Sequence, residues 1–581
     1  MSDMIKGGEL LLRCLQQEKV KHITAITDGT YMTMLEPLER LQDELGIRLI
    51  VPKHEGAACH MVDGYARVAG EPTVIMACAG PGAANLVSGL LCNQAEGTPT
   101  IAITTTRRSE VADSYSQQAC MQVGDQHGVF KAACKWSGKV DHWHRLPEMV
   151  RHAFRMATTG TPGVAHLLVP QDIFDSLGDP STVSLQTPEQ YRFSAQGKQQ
   201  ANTDAVKAAA KMLVDATLPV ACAGNGCVRA FAQDELKELV EYLGMPVMKT
   251  GHGMSAFPCG HELALNAGNF GGMACRLESD VTLVIGTRLG ELSAFGKAPA
   301  WSDPEKTKII QIDSEPTNIG LNRPADIGLV GDAKAVLAQL IEAVKDLTEK
   351  REKHARMDEF KALQNDSRDQ LDTLIANHQD SMCVGTVYAE LNKFYGNDAI
   401  AVIDGGNTAW WSLGCHQVKE GALVMGTMNY GHLGCGLPMA MGAKLAEPGR
   451  PVYCITGDSA FGFNIQELET AVREDLPVVV LVMVDGAWGM EKTAQKRSWG
   501  REAPWFCIEH DNIRYDQVCE SMGGHGEYVT KASEIAPALE RSIASNKASV
   551  IHCIIDPDSN VWPPGIELWN ALRSGNFEGL I

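Results

Sequence analysis

Two short stretches place acidic side chains where a cation and a phosphate could be held together. An apolar run, PVYCIT, ends in Gly457-Asp458-Ser459-Ala460, and a second, PVVVLVMV, ends in Asp485-Gly486-Ala487. A helix carrying Glu467-Leu468-Glu469-Thr470 is expected between them. Side chains at the C-terminal ends of neighbouring parallel strands converge on one crevice, where α/β sheets bind ligands. Asp458 and Asp485, 27 residues apart, then stand at adjacent strand ends. Two carboxylates and the Ala487 carbonyl suit Mg2+, which takes protein oxygens together with phosphate oxygens. The turn at Gly457 opens a helix whose free N–H groups favour an anion. A Gly-Asp pair also serves as a plain turn and N-cap, so this spacing alone leaves both readings open.

The elements that must position these groups are legible as short apolar runs alternating with helical patterns. PTVIMAC, PTIAITT, PVACAG, VTLVIGT, KIIQID, PVYCIT and PVVVLVMV suit parallel strands buried on both faces, with helices as crossovers. Two polar stretches, Ser176 to Gln200 and Lys345 to Leu374, separate three blocks, each large enough for its own core. The second stretch is dense in charge yet repeats Leu, Met and Phe, which predicts a solvated helix or two. The expected fold is α/β, with three doubly wound parallel-sheet domains at 1–178, 201–345 and 381–560 and a tail at 561–581. Blocks one and three echo each other. ARVAGEPTVIMACAGPGAANLVSGLLCNQAEGTPTIAITT from Ala66 and AKLAEPGRPVYCITGDSAFGFNIQELETAVREDLPVVVLVMV from Ala443 both run helix end, strand, Gly turn, helix, Pro, strand. A duplicated domain flanking a different middle one is the economical reading.

The arrangement around Asp458 and Asp485 resembles the diphosphate-binding motif of thiamine-diphosphate enzymes, GDG followed by about 27 residues and Asn. The likeness runs along nearly the whole chain to the acetolactate synthase group, which also holds benzaldehyde lyase, oxalyl-CoA decarboxylase and 2-hydroxyacyl-CoA lyase. The resemblance implies a pyrimidine-binding first domain, a central domain and a diphosphate-binding third domain. It implies thiamine diphosphate and Mg2+ as cofactors. Glu55, in His54-Glu55-Gly56-Ala57-Ala58, matches the catalytic glutamate that hydrogen-bonds the cofactor's pyrimidine, and Ala79-Gly80-Pro81-Gly82 with Asn85 matches a turn of the same domain. Gly406, Asn407 and Thr408 resemble the first loop on the diphosphate, and Leu433, in Tyr430-Gly431-His432-Leu433-Gly434, the apolar wedge beneath the cofactor. Asp458, Ser459, Ala460 and Asp485 become cofactor-binding residues, with Asp458, Asp485 and Ala487 as metal ligands. Two positions depart from the motif: Ser459 replaces its third glycine and Asp485 its asparagine. Asp485 keeps an oxygen ligand but adds a negative charge beside a diphosphate, and the divalent cation is expected to offset it.

Gln122 sits where acetolactate synthases keep an active-site glutamine. Asp28, Gln122 and His432 join Glu55 as candidate catalytic residues, with His127, Trp488, Met490 and Glu491 as further pocket positions. Asp28 could orient a substrate or cap the helix after it; His432 could move protons or be a hydrogen-bonded structural histidine. Thr493 to Ile513 is a candidate flap over the site. The tail DPDSNVWPPGIELWNALRS resembles that of benzaldehyde lyase, which favours an acyloin or 2-hydroxy ketone lyase or carboligase. A 2-oxoacid decarboxylase and a non-catalytic relative are the alternatives.

Composition narrows the partners. With 51 Lys and Arg against 71 Asp and Glu, the formal charge of −20 argues against a nucleic-acid binder, which needs a basic footprint. The longest apolar run, Leu476 to Val484, falls far short of the roughly 20 residues of a membrane span. The N-terminus carries acids among its apolar positions and does not read as a signal peptide. The 17 cysteines include no CxxC pair, as expected of reduced thiols in a cytoplasmic protein. A small-molecule carbonyl substrate is expected, with no nucleic acid and no membrane. The central domain, where KIIQID ends in Asp313, could hold FAD, ADP or CoA, or nothing; Gly224-Asn225-Gly226 lacks the third glycine of a dinucleotide fingerprint. The resemblance also implies a homodimer or homotetramer with active sites at the subunit interface.

Overall fold

A computed structural model of the protein describes residues 4–112, 120–266, 268–500, 504–511 and 513–563. Three six-stranded parallel sheets, each flanked by helices, account for the architecture. The first contains β1 (His22–Ala25), β2 (Arg48–Ile50), β3 (Thr73–Ala77), β4 (Thr100–Thr106), β5 (Trp136–Lys139) and β6 (Val164–Pro170), in the order β2-β1-β3-β4-β6-β5. The middle sheet contains β7 (Pro219–Ala223), β8 (Val247–Lys249), β9 (Ala264–Asn266), β10 (Val281–Ile285), β11 (Lys308–Asp313) and β12 (Ile327–Val330), ordered β9-β8-β7-β10-β11-β12. The third contains β13 (Ile400–Ile403), β14 (Leu423–Met425), β15 (Val452–Gly457), β16 (Val479–Val484), β17 (His525–Val529) and β18 (Ser549–Ile554), ordered β14-β13-β15-β16-β18-β17.

Sheets one and three therefore share one strand order, second-first-third-fourth-sixth-fifth, and the middle sheet has another. That shared order supports duplication of the outer domains more strongly than the sequence echo does. The middle order, third-second-first-fourth-fifth-sixth, is that of dinucleotide-binding folds. Strands β3, β4, β6, β7, β10, β13 and β16 are buried at every position, as continuous apolar runs in covered parallel sheets should be. The charged stretch after the middle domain forms a helix, Met357–Asn377, with Phe360, Leu371 and Ile375 turned inward. Among the described residues no helix is long and apolar enough to cross a membrane. Every cysteine is free and most are buried, so these thiols act as small core residues.

Two helices join the outer domains. Helix α1 (Glu55–Ala69) begins where the His54 ring accepts the Gly56 N–H at 3.0 Å and ends at Gly70 in the left-handed conformation. Helix α3 (Gly436–Ala446) crosses it, and Pro81–Glu96, α2, lies alongside α1. The crossing brings backbone against backbone. A Cβ on Gly64 would lie 2.0 Å from the Met439 carbonyl oxygen, and one on Gly442 would lie 1.9 Å from that of Met61. Met61 and Val68 consequently share one core with Met439, Met441 and the third sheet.

A buried ionic cluster holds all three domains at the end of α1. Arg67 grips both oxygens of Asp63 at 2.7 and 2.8 Å and donates to the Gly426 carbonyl at 2.8 Å. Glu96 accepts the Asn429 N–H at 2.7 Å, while Arg229 of the middle domain donates to Thr98 at 2.8 Å. Burial alone would raise the Glu96 carboxyl; nearby His252, Arg67 and the Asn429 N–H outweigh it and hold it down at about 2.

The close crossing sets a test. Gly442→Ala should cost about 3 kcal/mol of stability in urea denaturation, because neither backbone can yield to the added methyl. Gly449→Ala, where a Cβ meets nothing within 4 Å, should be neutral. Equal stability of the two variants would show that the crossing is looser than described.

Candidate cofactor and active site

On the third sheet, Asp458 follows β15 directly and Asp485 follows β16, so adjacent strands set both carboxylates at one edge. Asp458 accepts the Gly486 N–H at 2.9 Å through one oxygen and the Ser459 N–H at 2.6 Å through the other. Burial first, and then the nearby Asp485 charge, push its carboxyl up to about 6. The Ser459 hydroxyl donates to the Ala487 carbonyl at 3.2 Å and meets His510 Nε2 at 3.0 Å. Ala487 itself forms an antiparallel bridge with Glu509, which brings the segment after Trp499 back onto this edge.

The charge of Asp485 has a protein partner. Lys492, in the first turns of the helix Gly489–Trp499, places Nζ 3.3 Å from Asp485 Oδ2, with both side chains buried. Asn560 donates to the same oxygen at 2.9 Å. The Asp485 carboxylate thus does not rely on a divalent cation alone, which corrects the expectation from sequence. Both bonds fall on Oδ2.

Asn407, at the start of the helix Asn407–Cys415, donates to the Asn560 carbonyl at 3.0 Å, and its own Oδ1 is buried with no hydrogen-bond partner among the described residues. Met490 lies on Gly406, where a Cβ would come within 2.9 Å of its side chain. Asp404, at the end of β13, receives the N–H groups of Gly405, Gly434 and Gly436 at 2.7, 3.2 and 3.0 Å. Burial raises its carboxyl above the ordinary range although those three donors pull the other way. One carboxylate therefore holds the backbone just after Leu433 against the β13 loop, and Gly434 adopts the φ of +78° that the turn requires.

Two buried carboxylates, the Ala487 carbonyl and the orphaned Asn407 oxygen form an oxygen-only donor set. Such a set suits Mg2+ shared with a diphosphate. Among the described residues no group of three or more His, Cys, Asp or Glu side chains could hold a metal by itself. A cation here must take its remaining ligands from backbone, water or a bound phosphate, as the expected cofactor would supply.

On the first sheet, Glu55 is buried and accepts from Asn85 Nδ2 at 3.0 Å. Gly82 lies beside it: a Cβ there would come within 2.5 Å of Cys78 Sγ and 3.0 Å of Glu55 Oε1, so a larger residue would crowd the carboxyl end. Gly80, with φ +70°, packs on the backbone of Gln122, and Arg107 Nη2 donates to Gln122 Oε1 at 2.6 Å. Glu55, Gln122 and the Gly80 turn are thereby gathered at one edge.

Asp28 caps the turn Gly29–Tyr31, accepting from Thr30 N at 2.8 Å and Thr30 Oγ1 at 2.6 Å, so the geometry favours its capping role. His432 is tied at both nitrogens, with Nδ1 2.9 Å from the Leu433 carbonyl and Nε2 3.0 Å from Ser88 Oγ. Nδ1 donates to that carbonyl, since a carbonyl oxygen only accepts. His432 thus links the outer domains beside the wedge. Of the further pocket positions, His127 meets Ser137 at 3.1 Å and Trp488 packs edge-on against Phe463. Residues 501–503 and 512 of the expected flap, and 564–581 of the tail, lie outside the described residues.

Lys492, His510, Asn560 and Arg107 were not among the site residues expected from sequence. A basic residue two turns beyond a surplus carboxylate is a signal that points to Lys492. Nothing local points to Asn560, which reaches the site from 75 residues past Asp485.

Comparison with known proteins agrees with this geometry. Residues 5–129 match the thiamine pyrophosphate enzyme N-terminal TPP binding domain, 206–340 the central domain and 404–553 the C-terminal TPP binding domain. The chain is 31% identical to a probable acetolactate synthase large subunit of Methanocaldococcus jannaschii, over 98% of this chain and 95% of that one. It is 28% identical to the acetolactate synthase isozyme 3 large subunit of Escherichia coli, over 98% and 99%. It is 29% identical to an acetolactate synthase of Mycobacterium bovis, over 96% and 89%. The chain belongs to the thiamine pyrophosphate enzymes, in their acetolactate synthase-like group. It is therefore a thiamine-diphosphate-dependent enzyme of carbon–carbon bond chemistry.

The Leu433 turn yields a second test. Asp404→Ala strands the buried Gly434 and Gly436 N–H groups, at a cost of about 3 kcal/mol. Thiamine diphosphate affinity should fall at least about tenfold with it. Unchanged affinity in the folded variant would remove Asp404 from the support of the wedge.

Proposed function

We propose that this protein is an acetolactate-synthase-type carboligase, which takes an acyl unit from a 2-oxo acid and joins it to a second carbonyl compound. The observation that carries this reading is near-full-length similarity to acetolactate synthase large subunits across all three domains. Bound thiamine diphosphate supplies the nucleophilic carbon for such chemistry. Asp458, Asp485 and the Ala487 carbonyl would hold Mg2+ with the diphosphate, and Asn407 and the Gly406 loop would line the same place. Leu433 supports the cofactor from below. Glu55, kept buried by Gly82 and oriented by Asn85, hydrogen-bonds the pyrimidine nitrogen and exchanges its proton there. Gln122, held by Arg107, would face the substrate.

We further infer that two copies of the chain complete each site. Glu55 and Asp458 make their hydrogen bonds within separate domains, and Pro81, Ala84 and Asn85, beside Glu55, are exposed in the single chain. A second subunit's diphosphate-binding domain would cover that edge. The middle domain keeps a dinucleotide-type strand order, yet Gly226 and Gly286 pack directly on each other at the switch point, and we assign no nucleotide to it.

The activity is tested by incubating the protein with thiamine diphosphate, Mg2+ and 2-oxo acids, then with a panel of acyloins, with products read by mass spectrometry. Joined 2-hydroxy ketones, or 2-hydroxy-3-oxo acids where the acceptor is a second 2-oxo acid, are expected. Carbon dioxide release without joining would show a decarboxylase, and cleavage of acyloins alone would show a lyase. Glu55→Gln should slow hydrogen–deuterium exchange at the cofactor's C2 by at least about 100-fold, the usual scale of a lost acid–base group. Near-native exchange in that variant would remove Glu55 from the mechanism.

A further inference from the structure

An unusual charge arrangement surrounds Asp485. Where the motif of the group has asparagine, this chain has a carboxylate, which offers the same oxygen to a cation but adds a negative charge beside the expected diphosphate. An ammonium group lies against it: Lys492 Nζ is 3.3 Å from Asp485 Oδ2 and 2.5 Å from the Pro557 carbonyl oxygen. Side-chain exposure is 7% for Lys492 and 2% for Asp485, so neither charge is solvated well enough to stand alone. A buried ammonium is tolerated only when paired. Asn560 supplies the second donor to Oδ2 and presents its backbone carbonyl to Asn407. Among the described residues, both side-chain donors to Asp485 therefore sit on one oxygen.

We propose that Lys492 is the built-in counter-cation of Asp485, a positioning residue that returns the charge of the cofactor site to that of an asparagine-type site. The proposal rests on the thiamine diphosphate reading above. Under it, Asp485 Oδ1 faces the cation, Oδ2 is neutralised by Lys492 and oriented by Asn560, and the diphosphate meets no net extra charge. Two substitutions that each harm the site should therefore compensate when combined. Asp485→Asn alone strands a buried ammonium. Lys492→Met alone leaves a bare carboxylate beside the diphosphate. Together they leave a neutral pair of similar size.

The test is a double-mutant cycle on the full chain, with thiamine diphosphate binding at saturating Mg2+ measured by isothermal titration calorimetry without substrate. Lys492→Met should weaken binding by about 30-fold or more, the scale of breaking one buried pair. Lys492→Arg, which keeps the charge, should stay within about threefold of the wild type. Asp485→Asn/Lys492→Met should recover to within about tenfold of the wild type, better than either single variant. Melting of the cofactor-free chains is followed in parallel, with Lys492→Gln in place of Lys492→Met if the latter does not fold. Losses that simply multiply in the double variant would overturn the proposal and leave Lys492 as an anchor for the Pro557 segment. A wild-type chain that binds no thiamine diphosphate would overturn the functional reading and this proposal together.

Discussion

The contact between α1 and α3 is the constraint on which the rest of the structure depends. Glycines at 64 and 442 let two helices from different domains touch through their backbones. Each helix also mounts a residue proposed above to meet the cofactor: Glu55 opens α1, and the Leu433 turn leads into α3. Close backbone packing leaves little play, so the Glu55 carboxylate and the Leu433 turn are held by one joint. The Arg67–Asp63–Glu96 cluster and the His432–Ser88 bond fix the same joint from its ends. Proton exchange at a cofactor is sensitive to small displacements, which gives this rigidity a chemical purpose.

Charge is handled differently in the two outer domains. Around Glu55 the polar groups are few and local, and glycine at 82 makes the room. Around Asp458 and Asp485 the chain gathers carboxylates that burial and mutual repulsion make costly. Part of that cost is met inside the protein by Lys492. The remainder would fall to the cation proposed above, which would couple cofactor binding to metal binding.

Much of this was legible in the sequence because it lies in local pattern. Continuous apolar runs marked the buried parallel strands, Gly-Asp at 457–458 marked a strand-to-helix turn, and the echo of blocks one and three anticipated their shared strand order. Residues supplied over long separations were not legible. Asn560 reaches Asp485 only because the chain returns after β18, and Arg107 reaches Gln122 across a turn. The role of Asp404, which holds Gly434 and Gly436 across 30 residues, likewise has no local signature. Lys492 is the intermediate case. Its charge and spacing were visible, but its pairing depends on how the helix after β16 leaves the sheet.

The account stands or falls on whether this donor set binds its cofactor through a cation. The most direct measurement follows tryptophan fluorescence while thiamine diphosphate is titrated into the full chain with and without Mg2+. A saturable change that requires Mg2+ and disappears on chelation is the predicted result. No saturable change in the presence of Mg2+ would contradict the account.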